Sequence, residues 1–169
     1  MYPLGSRPPL RTYVNGRTIV LGDAAHPMLP LHAGAGTTAL EDAAALEIAM
    51  SDLPPGAHSL HLRLKLWDAV RRPRNATIQL LSNTAFDRPE FKLACILEEI
   101  RRHYIGPLPD AVPTGWAKVN HDFFCTYDAY AAARCALEIT RCFDQKQWND
   151  EAFLRAGLQS VIPHFGVVA

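Results

Sequence analysis

Apolar and polar positions change period several times along the chain, and those changes divide it into elements. Thr18-Ile19-Val20-Leu21 is a short run rich in β-branched residues that ends at Gly22-Asp23, the pattern of a buried strand. A loop of small residues, prolines and glycines follows. The spacing then turns helical: Ala39, Ala43, Leu46, Met50 and Leu53 fall on one face until Pro54-Pro55-Gly56 stops the run. Further on, Leu60, Leu62, Leu64 and Leu66 alternate with polar residues as in a strand. Leu60, Leu64 and Trp67 also share a helical face, and Leu and Lys are better helix formers, so the reading is a helix with a kink or break before Pro73. Ala76 to Phe86 continues it. Leu93, Ile96, Leu97, Ile100 and Tyr104 form a clean helical stripe, and Asp122–Leu137 and Asn149–Leu158 read as further helices.

Local signals set the boundaries between these runs. Asn15-Gly16 is a two-residue hairpin signal and pairs Leu10–Val14 with Arg17–Leu21. Thr38-Ala39-Leu40-Glu41 fits a capping box, with Thr38 as N-cap and Glu41 reaching back to it. Asp87-Arg88-Pro89 reads as an N-cap with proline in the first turn. Ile105–Gly115, rich in proline and glycine, is the candidate linker, so the expected organisation is 1–104, a linker over 105–115 and a helical extension over 116–169. Two strands alone are marginal in water, so the hairpin is expected to belong to a larger sheet.

Composition narrows the function classes. The 169 residues are 49% hydrophobic and 20% charged, which fits a soluble globular domain rather than a disordered chain. Lys+Arg and Asp+Glu are both 17, and that balance gives no reason to expect nucleic acid or an anionic membrane as partner. Cys95, Cys125, Cys135 and Cys142 form no C-x-x-C pair, which points to a reducing compartment rather than a metal ribbon or disulfide framework. The N-terminus lacks the apolar core of a secretory signal, and no run reaches the ~18 apolar residues needed to span a bilayer. A cytoplasmic protein is expected.

Gly22-Asp23-Ala24-Ala25-His26-Pro27-Met28-Leu29-Pro30, followed by Gly34-Ala35-Gly36 and Glu41-Asp42-Ala43, resembles the second FAD-binding motif of flavin-dependent aromatic-ring monooxygenases. Gly16-Arg17 before the strand and Arg71-Arg72-Pro73-Arg74 after the helix extend the likeness, and within the group it is strongest to fungal salicylate hydroxylase-like proteins. Phe124–Asp128, FCTYD, is weakly similar to a short segment near the C-termini of those proteins. Two positions depart from the family pattern: Ala33 stands where the first loop glycine usually sits, and Thr37 replaces a residue that is often asparagine.

The resemblance implies a fold and a set of roles. The fold is mainly α with a short β-hairpin: the C-terminal part of an α/β FAD-binding monooxygenase of glutathione-reductase type, without its N-terminal Rossmann unit. Gly22 and Asp23 correspond to the turn that presents an aspartate to the FAD ribityl chain, and Pro30 to the catalytic-site proline beside the isoalloxazine. Gly34, Ala35, Gly36, Thr37 and Thr38 correspond to backbone near the flavin pyrimidine edge. The chemistry of these residue types agrees. A carboxylate accepts hydrogen bonds from hydroxyls, glycines allow close backbone approach, and a helix N-terminus favours negative charge on reduced flavin. The family reaction is NAD(P)H- and O2-dependent hydroxylation of a small aromatic substrate through a flavin hydroperoxide.

Ordinary readings stand beside these roles. Asp23 alone is a turn former, His26 a loop-packing residue, and His58 with His61 lacks metal-ligand spacing. Glu41 and Asp42 read as serving the helix N-terminus, and Arg71, Arg72 and Arg74 as a solvated helix end. Trp67, Trp116 and Trp148 read as core or interface anchors. The competing function is a truncated, non-catalytic remnant or helical interaction module. It is motivated by the lack of a G-x-G-x-x-G unit and by an apolar content that suits contact with a missing N-terminal half. On either reading the chain alone is expected not to bind FAD tightly.

Overall fold

The computed structural model describes residues 5–30, 34–53, 55–83, 90–103 and 118–141. They form a mainly helical assembly with one two-stranded antiparallel hairpin. The order is β1 (Val14–Asn15), β2 (Thr18–Ile19), a 3-10 turn at Gly22–Ala24, α1 (Gly34–Met50), α2 (Ala57–Ser82), α3 (Glu90–His103), α4 (Lys118–Cys125) and α5 (Ala129–Thr140). Among the described residues no helix is long and apolar enough to cross a membrane.

The hairpin is shorter than the sequence predicts and its turn sits one residue later. Val14 pairs with Ile19 and Asn15 with Thr18, which places Gly16-Arg17 at the turn. Gly16 has φ of +60°, while Asn15 stays in the strand, so the left-handed position falls on the residue that tolerates it best. The Val20 amide donates to the Tyr13 carbonyl at 3.0 Å, which extends the pairing by one step.

Helix α1 begins at Gly34, before the expected cap at Thr38. Thr38 lies inside the helix, where its Oγ1 donates back to the Gly34 carbonyl at 2.8 Å and the Ala35 carbonyl at 3.0 Å. The capping-box reading is therefore overturned, because both of its side chains have other partners. The buried face is also rotated from the expected stripe: Gly34, Thr38, Glu41, Asp42, Ala45 and Ala49 are buried and Ala43 is exposed. The helix ends at Met50, and Asp52 takes a left-handed conformation with φ of 48°, leaving Leu53 outside it.

Helix α2 settles the ambiguous stretch in favour of helix and runs without a break through Pro73 to Ser82. Proline removes the amide that would bond the Ala69 carbonyl, yet the helix is held on all sides, for every residue from Val70 to Ser82 is buried. Burial supplies the constraint that local propensity does not. The single helix expected over Asp122–Leu137 is instead two, α4 and α5, with a break at Thr126-Tyr127-Asp128. Asp128 caps α5 by accepting from the Ala131 amide at 2.9 Å.

Three apolar clusters hold these elements together. Tyr13, Ala25, Ala45, Ala49, Trp67 and Ala133 join the hairpin, α1, α2 and α5. Leu66, Val70, Ala132 and Ala136 seal α2 to α5, the alanines letting the helices approach closely. Ile78, Leu80, Leu81, Ile100 and Phe124 bring α3 and α4 onto the C-terminal half of α2, with Met28, Ile96 and Leu97 beside them. Trp67 is core, as the sequence suggested. The expected helix cap at Asp87–Pro89, the linker over 105–115, Tyr104, Trp116, Trp148, Cys142 and the helix over Asn149–Leu158 lie outside the described residues.

Candidate functional site

Strand β2 leads through extended Leu21 into Gly22, whose φ of +58° turns the chain into the 3-10 turn. The amides of Ala25 and His26 both donate to the Gly22 carbonyl at 2.9 Å, closing the turn on itself. Arg7 clamps it from outside, its Nη2 donating to the carbonyls of Ala24 at 3.0 Å and Ala25 at 2.7 Å. The loop then passes along the first turns of α1. Met28 Sδ lies 3.8 Å from Thr38 Oγ1, and the Leu29 amide donates to Ser82 Oγ at 3.2 Å.

Each sequence-predicted site residue has a definite place. Asp23 is exposed and, among the described residues, its carboxylate has no hydrogen-bond or ion-pair partner. Pro30, Gly36 and Thr37 are exposed, Ala35 is half-buried, and Gly34 and Thr38 are buried. Gly34, Ala35 and Gly36 lie within α1, so the glycine loop expected there, with the helix starting at Thr37–Thr38, is corrected to helix. Gly34 and Gly36 differ in what they face. A Cβ on Gly34 would come 3.3 Å from Ile78 Cγ2, so this glycine serves the packing of α1 on α2. A Cβ on Gly36 would meet nothing within 4 Å among the described residues. Packing accounts for one glycine and leaves the other open.

Behind the loop lies a buried charge cluster that the sequence reading placed in solvent. Asp42 is fully buried and accepts four hydrogen bonds. Two come from the loop, the Gly22 amide at 3.1 Å and His26 Nε2 at 2.6 Å; two come from α2, Arg71 Nε at 2.9 Å and Asn75 Nδ2 at 2.8 Å. Burial raises the Asp42 pKa, but the His26 hydrogen bond, the Arg71 charge and the Asn75 hydrogen bond outweigh it and hold the group at about 2. An ionised carboxylate only accepts, so His26 Nε2 carries the proton of their bond. His26 is thus anchored inside the protein, in agreement with the packing role expected for it.

Glu41 forms the second half of the cluster. Arg74 grips it with two bonds, Nε to Oε2 at 2.8 Å and Nη2 to Oε1 at 2.9 Å, and Arg71 Nη2 adds a third at 2.7 Å. Arg74 also donates to the carbonyls of Phe123 and Phe124, both at 3.1 Å, and its guanidinium lies 4.0 Å from the centre of the Tyr127 ring. Burial opposes the Arg71 charge, yet the Glu41 and Asp42 carboxylates bonded to it more than reverse that and keep it protonated. Burial also pushes the Tyr127 phenol upward, so it stays neutral.

Glu41 and Asp42 therefore do not serve the helix N-terminus, and Arg71, Arg72 and Arg74 are not a solvated end; all five side chains are buried. The signal for this was present. The stripe Leu64, Trp67, Arg71, Arg74, Asn75 and Ile78 keeps the helical spacing of the core face, with the arginines in register. Beside the cluster, a groove of about 630 Å³ opens between the outer face of α1 and the α4–α5 junction, with Leu40, Glu47 and Tyr130 on its walls. Among the described residues no group of acidic, histidine and cysteine side chains is arranged to hold a metal ion, and Cys95 and Cys135 are free thiols.

Comparison with known proteins finds relatives named as monooxygenases and hydroxylases. The chain is 29% identical over 138 residues to a protein named FAD-dependent monooxygenase phomE from Diaporthe leptostromiformis, covering 82% of this chain and 35% of that protein. It is 45% identical over 71 residues to salicylate hydroxylase from Pseudomonas putida, covering 41% of this chain and 16% of the relative. A 6-hydroxynicotinate 3-monooxygenase from Pseudomonas fluorescens is 37% identical over 82 residues, covering 48% of the chain and 21% of the relative. No family model and no solved structure matches the chain. The chain spans about a third of the length of the relatives that it matches most fully.

Proposed function

We propose, from the premise that this chain is a homologue of part of the FAD-dependent monooxygenases, that its Gly22–Thr38 segment forms one wall of a flavin site. The observation that carries this reading is Asp23. Around it the Gly22 amide, His26 and the Leu29 amide are bonded inward, to Asp42 and Ser82, while the Asp23 carboxylate is exposed and has no partner among the described residues. An exposed acceptor on a rigid turn suits the hydroxyls of a ribityl chain. Pro30 and the open backbone at Gly36 and Thr37 would border the ring, and the N-terminal end of a helix favours negative charge placed near it.

Bound flavin would supply hydride and oxygen chemistry, with NAD(P)H as reductant and a small aromatic compound as the hydroxylated substrate. The part of this chain is to bind and orient: Asp23 holds the sugar-alcohol chain, and the α1 N-terminus favours electron density on the facing edge. A groove on the outer face of α1, which meets this wall at Thr37 and has Leu40 at 74% exposure, favours a second reading, an interaction module without catalysis.

Titrating the purified chain with FAD, followed by quenching of flavin fluorescence, separates the two. The flavin reading expects weak, saturable binding that drops by roughly tenfold in Asp23→Ala, the loss of one or two hydrogen bonds to a charged acceptor, with the far-ultraviolet circular dichroism unchanged. Equal affinity in the variant, or no saturation with the unaltered chain, would favour the interaction module.

A further inference from the structure

We infer that Asp42 is a positioning residue for the flavin wall: held by Arg71 and Asn75 of α2, it fixes the left-handed Gly22 turn and thereby aims the neighbouring Asp23. The inference rests on the reading of Asp23 as a flavin ligand. Nothing suggests that Asp42 itself would touch the cofactor, since its carboxylate is fully buried and both oxygens are occupied.

The division of its bonds is what gives it this role. Oδ2 faces the loop and takes the Gly22 amide and His26; Oδ1 faces α2 and takes Arg71 and Asn75. One carboxylate thus joins both ends of the turn, at Gly22 and His26, to a helix that is buried all around at that level. The Gly22 amide is the backbone group that precedes Asp23, and its partner decides how the left-handed residue sits. Without that acceptor the amide would be buried and unpaired, and the turn would have to rotate to find water. Arg71 is tied in turn through Glu41 to Arg74 and the Phe123–Phe124 carbonyls, so the α4–α5 junction braces the same unit.

The test combines a cycle of Asp23→Ala, Asp42→Asn and the double variant with amide hydrogen exchange at Gly22. Asparagine keeps the shape and removes the charge. In a folded Asp42→Asn the Gly22 amide should exchange at least about tenfold faster, the loss of a hydrogen bond to a charged acceptor. The Ala132 amide of α5, bonded to the Asp128 carbonyl, should keep its protection. Flavin affinity should fall to about the level of Asp23→Ala, and the double variant should fall no further, since both act at one carboxylate.

Additive losses, or unchanged exchange at Gly22, would overturn the inference. Asn75→Ala leaves the Arg71–Asp42 pair in place and should shift the same amide in the same direction by less; no shift there would also count against it. If the unaltered chain takes up no flavin, the reading of Asp23 falls, and exchange at Gly22 still decides whether Asp42 holds the turn.

Discussion

Replacing Arg71 by methionine tests the buried cluster directly, and its cost follows from the partners left behind. Arg71 is fully buried and bonds Asp42 at 2.9 Å, Glu41 at 2.7 Å and Asn75 at 2.9 Å. Arg71 and Arg74 together balance Glu41 and Asp42, so the cluster is neutral. Methionine replaces much of the aliphatic stem and little of the head, leaving one negative charge in excess. Glu41 keeps its two bonds to Arg74, but Asp42 is left with His26, Asn75 and the Gly22 amide and no arginine. Stranding a buried charge costs about 3–5 kcal/mol, and the three surviving donors put this case near the lower end, at about 3 kcal/mol. For a chain of this size that corresponds to a fall in Tm of roughly 6–12 °C.

Urea titration followed by circular dichroism at the helix band measures the loss. The double variant Arg71→Met with Asp42→Asn removes both charges and should recover at least about 1 kcal/mol of the summed single losses. A single variant within about 1 kcal/mol of the unaltered chain, or strict additivity in the double, would refute the assignment of a buried, mutually dependent cluster.

Two further outcomes follow from the same geometry. The Asp42 pKa is lowered in the folded state to about 2 from an ordinary 3.8, so the stability it contributes is complete above about pH 4 and is lost as the pH falls towards 2; the unfolding free energy from urea titration should change by about 2 kcal/mol across that window, and Asp42→Asn should flatten it. Gly36→Ala meets no atom within 4 Å among the described residues and sits in a helix, so it should raise stability by about 0.5 kcal/mol in the same assay. If that open backbone borders a flavin, the same change should lower FAD affinity, and a variant improved in both respects would remove Gly36 from the site.

The sequence carried the helical character of the chain and the turn at Gly22-Asp23, and it misplaced the charged residues behind that turn. Periodicity identified α2 and α3 through their apolar stripes, even where Leu60–Leu66 also fits a strand, and it found α1 as a helix while misplacing its buried face. Turn geometry shifted by one residue since Asn15 and Gly16 both accept left-handed backbone, and only the pairing of Val14 with Ile19 chooses between them. The capping box at Thr38 failed for a tertiary reason: Glu41 is claimed by arginines 30 and 33 positions away, a separation no local pattern records. The same distance hid Asp42. What remained readable were residues that act through their immediate neighbours, such as the Gly22 turn, while residues that act through partners on α2 became visible only once that helix was in place.

Helix α2 buries every residue from Val70 to Ser82, yet arginine, asparagine, threonine, glutamine and serine make up much of that stretch. When the chain unfolds, its most enclosed segment is consequently well hydrated, and charges and a proline interrupt any run that would pair into intermolecular strands. The part of the molecule most remote from solvent is among the least disposed to aggregate when exposed. Unfolding through this helix should therefore be recoverable on dilution from denaturant, where a core of the same depth built from continuous aliphatic residues would tend to precipitate.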